Sequence, residues 1–145
     1  MNHRDTEARR VNQVTEKVIG CAIEVHKHLG PGLLESGYEE CTCYEMTHGG
    51  LAVRRQVPLP VIYKGVKLDC GYRIDAIVEE TVILEFKTVE KLLPVHEAQL
   101  LSYLRLSALP VGLLLNFNSR VMRDGIRRMV NHYPDSAPSA FSAVK

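Results

Sequence analysis

The chain has 145 residues, 46% of them hydrophobic, which suits one domain with a real core and excludes both a disordered chain and two ordinary domains. Eighteen basic and seventeen acidic residues leave a net charge of +1, so total charge alone does not announce a polyanionic partner. No apolar run reaches membrane-spanning length, and the polar start Met1-Asn2-His3-Arg4-Asp5 lacks a signal-peptide core, so a cytoplasmic protein without a membrane partner is expected.

Val11, Val14, Val18, Cys21, Val25 and Leu29 recur every three or four residues and predict one face of a helix, which Gly30-Pro31-Gly32 ends. A second helix is expected from Leu33 to about Thr47, with Leu34, Tyr38 and Cys41 inward and His48-Gly49-Gly50 as its stop. From Leu51 the period drops to two. Leu51, Val53, Val57, Leu59, Val61 and Tyr63 predict a first strand, with Pro58 and Pro60 placing one side of it at an edge. Lys64-Gly65 reads as a tight turn, followed by a second strand with Val66, Leu68, Cys70, Tyr72, Ile74, Ala76 and Val78 on one face. Thr81 to Lys87 is a third.

Pro94 opens a helix to about Leu106, and the apolar run Val111-Gly112-Leu113-Leu114-Leu115 is a strand buried on both faces, which implies a parallel crossover. A short helix is expected over Gly125 to Asn131. The order α-α-β-β-β-α-β-α gives an α/β domain, a mixed sheet flanked by helices over residues 1–133, followed by a flexible tail over 134–145. Cys21, Cys41, Cys43 and Cys70 show no C-x-x-C spacing, and Cys41 and Cys43 point from different faces of a helix, so buried free thiols are expected rather than a zinc site.

Chemistry concentrates in Tyr72-Arg73-Ile74-Asp75 and Ile83-Leu84-Glu85-Phe86-Lys87. If the apolar faces of the two strands coincide, Val78 lies opposite Val82, Ala76 opposite Leu84 and Ile74 opposite Phe86, because a one-residue slip would turn every side chain over. That register places Asp75 opposite Glu85 on the other face, with Cβ atoms roughly 5 Å apart. Two carboxylates so placed repel unless a cation lies between them, and hard oxygen ligands suit Mg²⁺ or Mn²⁺. Lys87 projects from the same face as Glu85. Two acids and a lysine supply what in-line hydrolysis of a phosphodiester needs. Ordinary surface charges on an exposed hairpin remain the bland alternative.

Asp75 followed by Glu85-Phe86-Lys87 resembles the core motif of the PD-(D/E)XK nuclease superfamily. Gln99 and Tyr103, one helical turn apart, resemble the Q-x-x-x-Y element of its recombination-nuclease branch. Gly32-Leu33-Leu34-Glu35-Ser36-Gly37-Tyr38 is similar to the G-x-x-E-x-x-Y signature of a group of small bacterial and archaeal proteins. The resemblance implies a restriction-endonuclease-like core and a Mg²⁺- or Mn²⁺-dependent nuclease acting on DNA ahead of RNA. It implies a metal held by Asp75, Glu85, the Phe86 carbonyl and Glu35, with Lys87 stabilising the transition state and Gln99 orienting substrate or Lys87. Glu35 is equally a helix-start carboxylate favoured by the macrodipole, and Tyr38 and Tyr103 equally fit core aromatics with wet hydroxyls. A non-catalytic nucleic-acid-binding or interaction module on the same fold is the rival, and a homodimer would enlarge its small surface. Glu24, His26 and His28 read as a solvated turn, His96 as a neighbour of the Gln99 face, and the arginines at 54, 55, 120, 123, 127 and 128 as solvated clusters.

Overall fold

In the structure, a computed structural model that describes residues 3–132 and Phe141, the first apolar stripe becomes α1 (His3–Leu29). Gly30 closes it: its φ of +66° suits glycine, and its amide donates to the His26 carbonyl at 2.8 Å. The helix α2 (Glu35–His48) begins later than expected, because Leu34 is its N-cap and stands 79% exposed rather than inward. Its buried residues are Tyr38, Glu39, Thr42, Cys43 and Met46. Two polar groups on the inner face explain why hydrophobic periodicity misread this helix.

The strands β1 (Val53–Pro58), β2 (Val61–Tyr63), β3 (Val66–Leu68), β4 (Arg73–Val78) and β5 (Val82–Lys87) follow, then α3 (Pro94–Ser107), β6 (Val111–Asn116), a 3-10 turn (Met122–Gly125) and β7 (Ile126–Val130). The main sheet has the order β1-β4-β5-β6-β7. Among the described residues, only β5 and β6 pair in parallel, joined by α3 as the crossover; the other neighbours are antiparallel. α1 and α2 cover one face over Ala76, Val78, Val82, Leu84 and Phe86. On the other face Leu100, Tyr103 and Leu104 of α3 pack with Ile77, Ile83 and Leu114. This is the expected mixed sheet flanked by helices, an α/β architecture consistent with a restriction-endonuclease-like core. No helix of the described residues is long and apolar enough to cross a membrane.

Three expectations need correction. The first expected strand is two, and its alternation slips: Val53 packs on the α1–α2 side, whereas Val57 and Leu59 belong to the α3 side. Gln56, at φ 49°, makes the slip, and the partner strand follows, with Ala76 and Val78 on one side and Ile74 on the other. The second expected strand is also two. Asp69 Oδ1 accepts the Gly71 amide at 2.9 Å and Gly71 sits at φ +80°, a turn that leaves Cys70 exposed. β2 and β3 therefore form a separate hairpin, turned by Lys64 and Gly65 with φ of 49° and 79°. The expected helix over Gly125 to Asn131 is β7, registered on β6 from Val111–Val130 to Leu115–Ile126. The ladder bonds offered by β6 outweigh local propensity over so short a segment. The tail expected over 134–145 lies outside the described residues, apart from Phe141.

A Cβ on Gly125 would run into the backbone oxygen of Asn116 and the side chain of Ser119, whereas one on Gly20 of α1 would meet nothing within 4 Å. Gly125→Ala is therefore expected to lower stability by about 1–3 kcal/mol or more, and Gly20→Ala to raise it by up to about 1 kcal/mol. Urea midpoints of the two variants read both; equal midpoints would contradict this account of the β6–β7 connection.

Candidate active site

β4 and β5 pair at Val78–Val82, Ile77–Ile83 and Ala76–Leu84, the register that burial demands. The expected next pairs, Asp75–Glu85 and Ile74–Phe86, are not made as ladder partners. The Asp75 amide donates instead to Glu85 Oε2 at 2.9 Å, and the Phe86 amide donates to Asp75 Oδ2 at 2.9 Å. Each carboxylate thus accepts an N–H of the opposite strand where the ladder stops, which satisfies both amides and keeps the strands apart.

Asp75 is half-buried, and Glu85 is 5% exposed. Burial first, then the Asp75 charge, pushes the Glu85 carboxyl up to about 8. Asp75 is raised as well, chiefly by burial; the Phe86 amide lowers it, the Glu39 charge adds to the rise and Lys87 opposes it. Lys87 leaves β5 on the same side as Glu85, half-buried, and its charge reaches Asp75, Glu85 and Glu35.

The other expected residues gather around this pair to different degrees. Glu35 opens α2, and its carboxyl is raised by burial, against the pull of Lys87 and with the push of Asp75 and Glu39. Tyr103 is buried beside Glu85, its hydroxyl raised by burial and then by the Glu85 charge. Gln99 Nε2 donates to that hydroxyl at 3.3 Å, so Gln99 reaches the centre through Tyr103. Tyr38 is structural: its hydroxyl donates to the Gly30 carbonyl and accepts the Leu33 amide at 3.1 Å, fixing the turn ahead of Glu35.

Three neighbours were missed. Glu39 is 7% exposed on α2; Arg55 Nη2 reaches its Oε2 at 3.1 Å, and Gln56 Nε2 reaches Oε1 at 3.1 Å and Oε2 at 3.0 Å. Its place four residues after Glu35, on one helical face, was the available signal. Nothing in one sequence marks Gln56 as left-handed. Asn116, buried at the end of β6, donates to the Val89 carbonyl at 2.9 Å and accepts the Val89 amide at 3.1 Å, stapling the chain that follows Lys87. Arg55, expected in a solvated cluster, is instead paired with Glu39 and Glu40, whereas Glu24 and the histidines stay outside the site. His26 Nε2 bonds the Ser119 carbonyl at 2.8 Å and is buried rather than solvated, His28 pairs with Glu24 at 3.3 Å, and His96 caps α3 by accepting the Leu93 amide at 2.9 Å.

Among the described residues, no three His, Cys, Asp or Glu side chains form a ready cation cage. The donors that do converge are oxygens: one atom each of Asp75 and Glu85 remains without an amide of the opposite strand, beside the backbone of Phe86. A buried acid held at about 8 beside a second acid is a group that a hard divalent ion would satisfy, so these residues fit one.

A family model described as the PD-(D/E)XK nuclease superfamily matches residues 12–129. No curated protein and no solved structure matches the chain.

The raised Glu85 carboxyl fixes a sign for stability. Between the ordinary 4.5 and about 8 the folded chain holds a proton that the unfolded chain has lost, so stability falls as pH rises through that window. Melts of the metal-free protein in a chelator are expected to weaken from about pH 5 to about pH 8.5, and Glu85→Gln to flatten the decline. A wild-type curve that rises across the window, or a variant with an undiminished fall, would contradict the assignment.

Proposed function

Because the chain belongs to the PD-(D/E)XK nuclease superfamily, we propose that it is a metal-dependent nuclease hydrolysing phosphodiester bonds, with DNA ahead of RNA as substrate. Gly32, Glu35 and Tyr38 support membership of the G-x-x-E-x-x-Y group within it. The observation that carries the reading is the crossed pair of amide-to-carboxylate hydrogen bonds that brings Asp75 and Glu85 together at the open end of the β4–β5 ladder, with Lys87 beside them.

Asp75, Glu85 and the Phe86 carbonyl would hold Mg²⁺ or Mn²⁺, with Glu35 assisting from α2. A divalent ion held there supplies Lewis-acid polarisation of a phosphoryl oxygen. The remaining work belongs to the chain. Lys87 Nζ donates to the scissile phosphate and stabilises the charge that develops there. Gln99 and Tyr103, bonded to each other, line the α3 side and orient Lys87 or the substrate. The geometry also supports contact with a polyanion. The connections leaving this end of the sheet, between β1 and β4, after β5 and after β6, carry Lys64, Lys67, Lys91, Arg120 and Arg123 against Asp69, Glu90 and Asp124, a surplus of positive charge.

The rival, a nucleic-acid-binding or interaction module without catalysis, draws support from the net charge of +1 and the small surface, which a homodimer would enlarge. One experiment separates the two. Calorimetric titration of Mn²⁺ into wild type and Asp75→Ala, followed by incubation with labelled DNA and RNA, is expected to show binding and cleavage in wild type alone. Lys87→Ala is expected to keep Mn²⁺ binding and to lose cleavage by a factor of about a hundred or more. Metal-dependent cleavage that survives both substitutions sinks the nuclease reading, and DNA binding without Mn²⁺ binding favours the module.

A further inference from the structure

We propose that Gln56 is a positioning residue for Asp75, and that buried Glu39, paired with Arg55, is the clamp that holds Gln56 in place. Its expected effect on metal rests on the nuclease reading; its effect on Asp75 does not.

Gln56 lies inside β1, opposite Asp75 by register, since Arg55 pairs with Ala76 and Val57 with Ile74. Its φ of 49° is a left-handed conformation that a non-glycine residue keeps in a strand only where its surroundings enforce it. Glu39 supplies the enforcement. Gln56 Nε2 lies 3.1 Å and 3.0 Å from the two Glu39 oxygens, and the carboxylate is itself fixed by Arg55 Nε at 3.3 Å and Nη2 at 3.1 Å. Arg55 is anchored in turn, with Nη1 at 2.6 Å from Glu40. The conformation thus turns the amide of Gln56 toward α2, against the alternation of β1.

That amide has two N–H groups. While one serves Glu39, the same nitrogen lies 3.5 Å from Asp75 Oδ1, the oxygen that the Phe86 amide leaves free. A contact of 3.5 Å is long for a hydrogen bond, so the amide steers the carboxylate rather than locking it. Asp75 is therefore oriented from two sides, by Phe86 at one oxygen and Gln56 at the other. The amide also stands between two carboxylates, Glu39 and Asp75, that would otherwise face each other. An alanine or leucine at position 56 would offer neither donor. Glu39 and Glu35 ride on the same helix, so the clamp also fixes the helix that brings Glu35 to the site.

The test uses Gln56→Gly, which accepts the left-handed backbone but deletes the amide. It adds Gln56→Asn, which tolerates the same φ but is one methylene too short to span Glu39 and Asp75. Hydrogen exchange of the Phe86 amide in the metal-free protein reports whether Asp75 is still held; Mn²⁺ titration reports the site's affinity. Both variants are expected to expose the Phe86 amide to faster exchange and to weaken Mn²⁺ binding by about ten- to a hundredfold. Arg54→Ala, which removes the pair with Glu80 and the contact over the Phe141 ring but touches neither Glu39 nor Asp75, is expected to leave both unchanged. Wild-type protection and affinity in a folded Gln56→Gly would overturn the proposal; if that variant does not fold, the same result in Gln56→Asn would. A wild type that binds no Mn²⁺ would remove the nuclease reading, and unchanged Phe86 exchange would then still refute the positioning role.

Discussion

Beyond Ala76–Leu84 the β4–β5 ladder opens, and two side chains replace the backbone acceptors that the amides of Asp75 and Phe86 would otherwise need. A buried amide must find a partner, so the opening exists only because Asp75 and Glu85 fill it. The solution creates a second demand. Two acids in a place of low dielectric raise each other's cost of ionisation, and three remedies are available: a proton, a neighbouring cation or a metal ion. In the metal-free chain the proton goes to Glu85, whose carboxyl stands at about 8, while Lys87 offsets part of the remaining charge. The same feature that completes the sheet's hydrogen bonding leaves the site short of positive charge.

Packing on the far side of β5 makes that opening rigid and links it to α2. Phe86, whose amide holds Asp75, turns its ring toward the helical layer, stacked 6.1 Å from Phe117, which stacks 4.5 Å from Tyr38. The Tyr38 hydroxyl then ties the Gly30 and Leu33 backbone together, just before Glu35. Core packing therefore runs from the backbone of the acidic pair to the helix start that presents the third carboxylate. Gly32, Glu35 and Tyr38 divide the labour: the tyrosine builds the turn, the glycine allows it at φ +106°, and the glutamate faces the site.

How much of this the sequence disclosed follows from which force set each feature. Apolar alternation over Ala76, Val78, Val82 and Leu84 is strong enough to dictate register as far as Ala76–Leu84, so the closeness of Asp75 and Glu85 is legible in the sequence, whereas the opening of the ladder at that pair, where each carboxylate takes an amide of the other strand, is not. The period of α1 and the apolar run of β6 were legible for the same reason. The slip at Gln56 was not, because a left-handed glutamine is imposed by Glu39 from another element and leaves no local mark. β7 was hidden by Arg127 and Arg128, adjacent charges that break the look of alternation, and by the fact that β6 rather than local propensity recruits it. α2 was misread on its inner face because Glu39 and Thr42 are buried there.

Total charge leaves the partner open for a physical reason that also bears on function. A metal centre requires acids and a polyanion surface requires bases, and in a chain this short the two requirements cancel in the sum. At the open end of the ladder Glu39 acts on the ionisation of Glu35 and Asp75, Asp75 on that of Glu35 and Glu85, and Glu35 on that of Glu85. With those four grouped there, eighteen basic residues face thirteen other acidic ones. Of the acids elsewhere, Glu79 and Glu80 lie at the opposite end of the β4–β5 hairpin, at its turn. The connections at the site end carry five cations against Asp69, Glu90 and Asp124, so together with Lys87 they offer an approaching phosphate a modest surplus of positive charge, and the clustered carboxylates become tolerable to it only once they hold positive charge of their own. The near-zero balance is what a small domain with both tasks at one end of its sheet would carry.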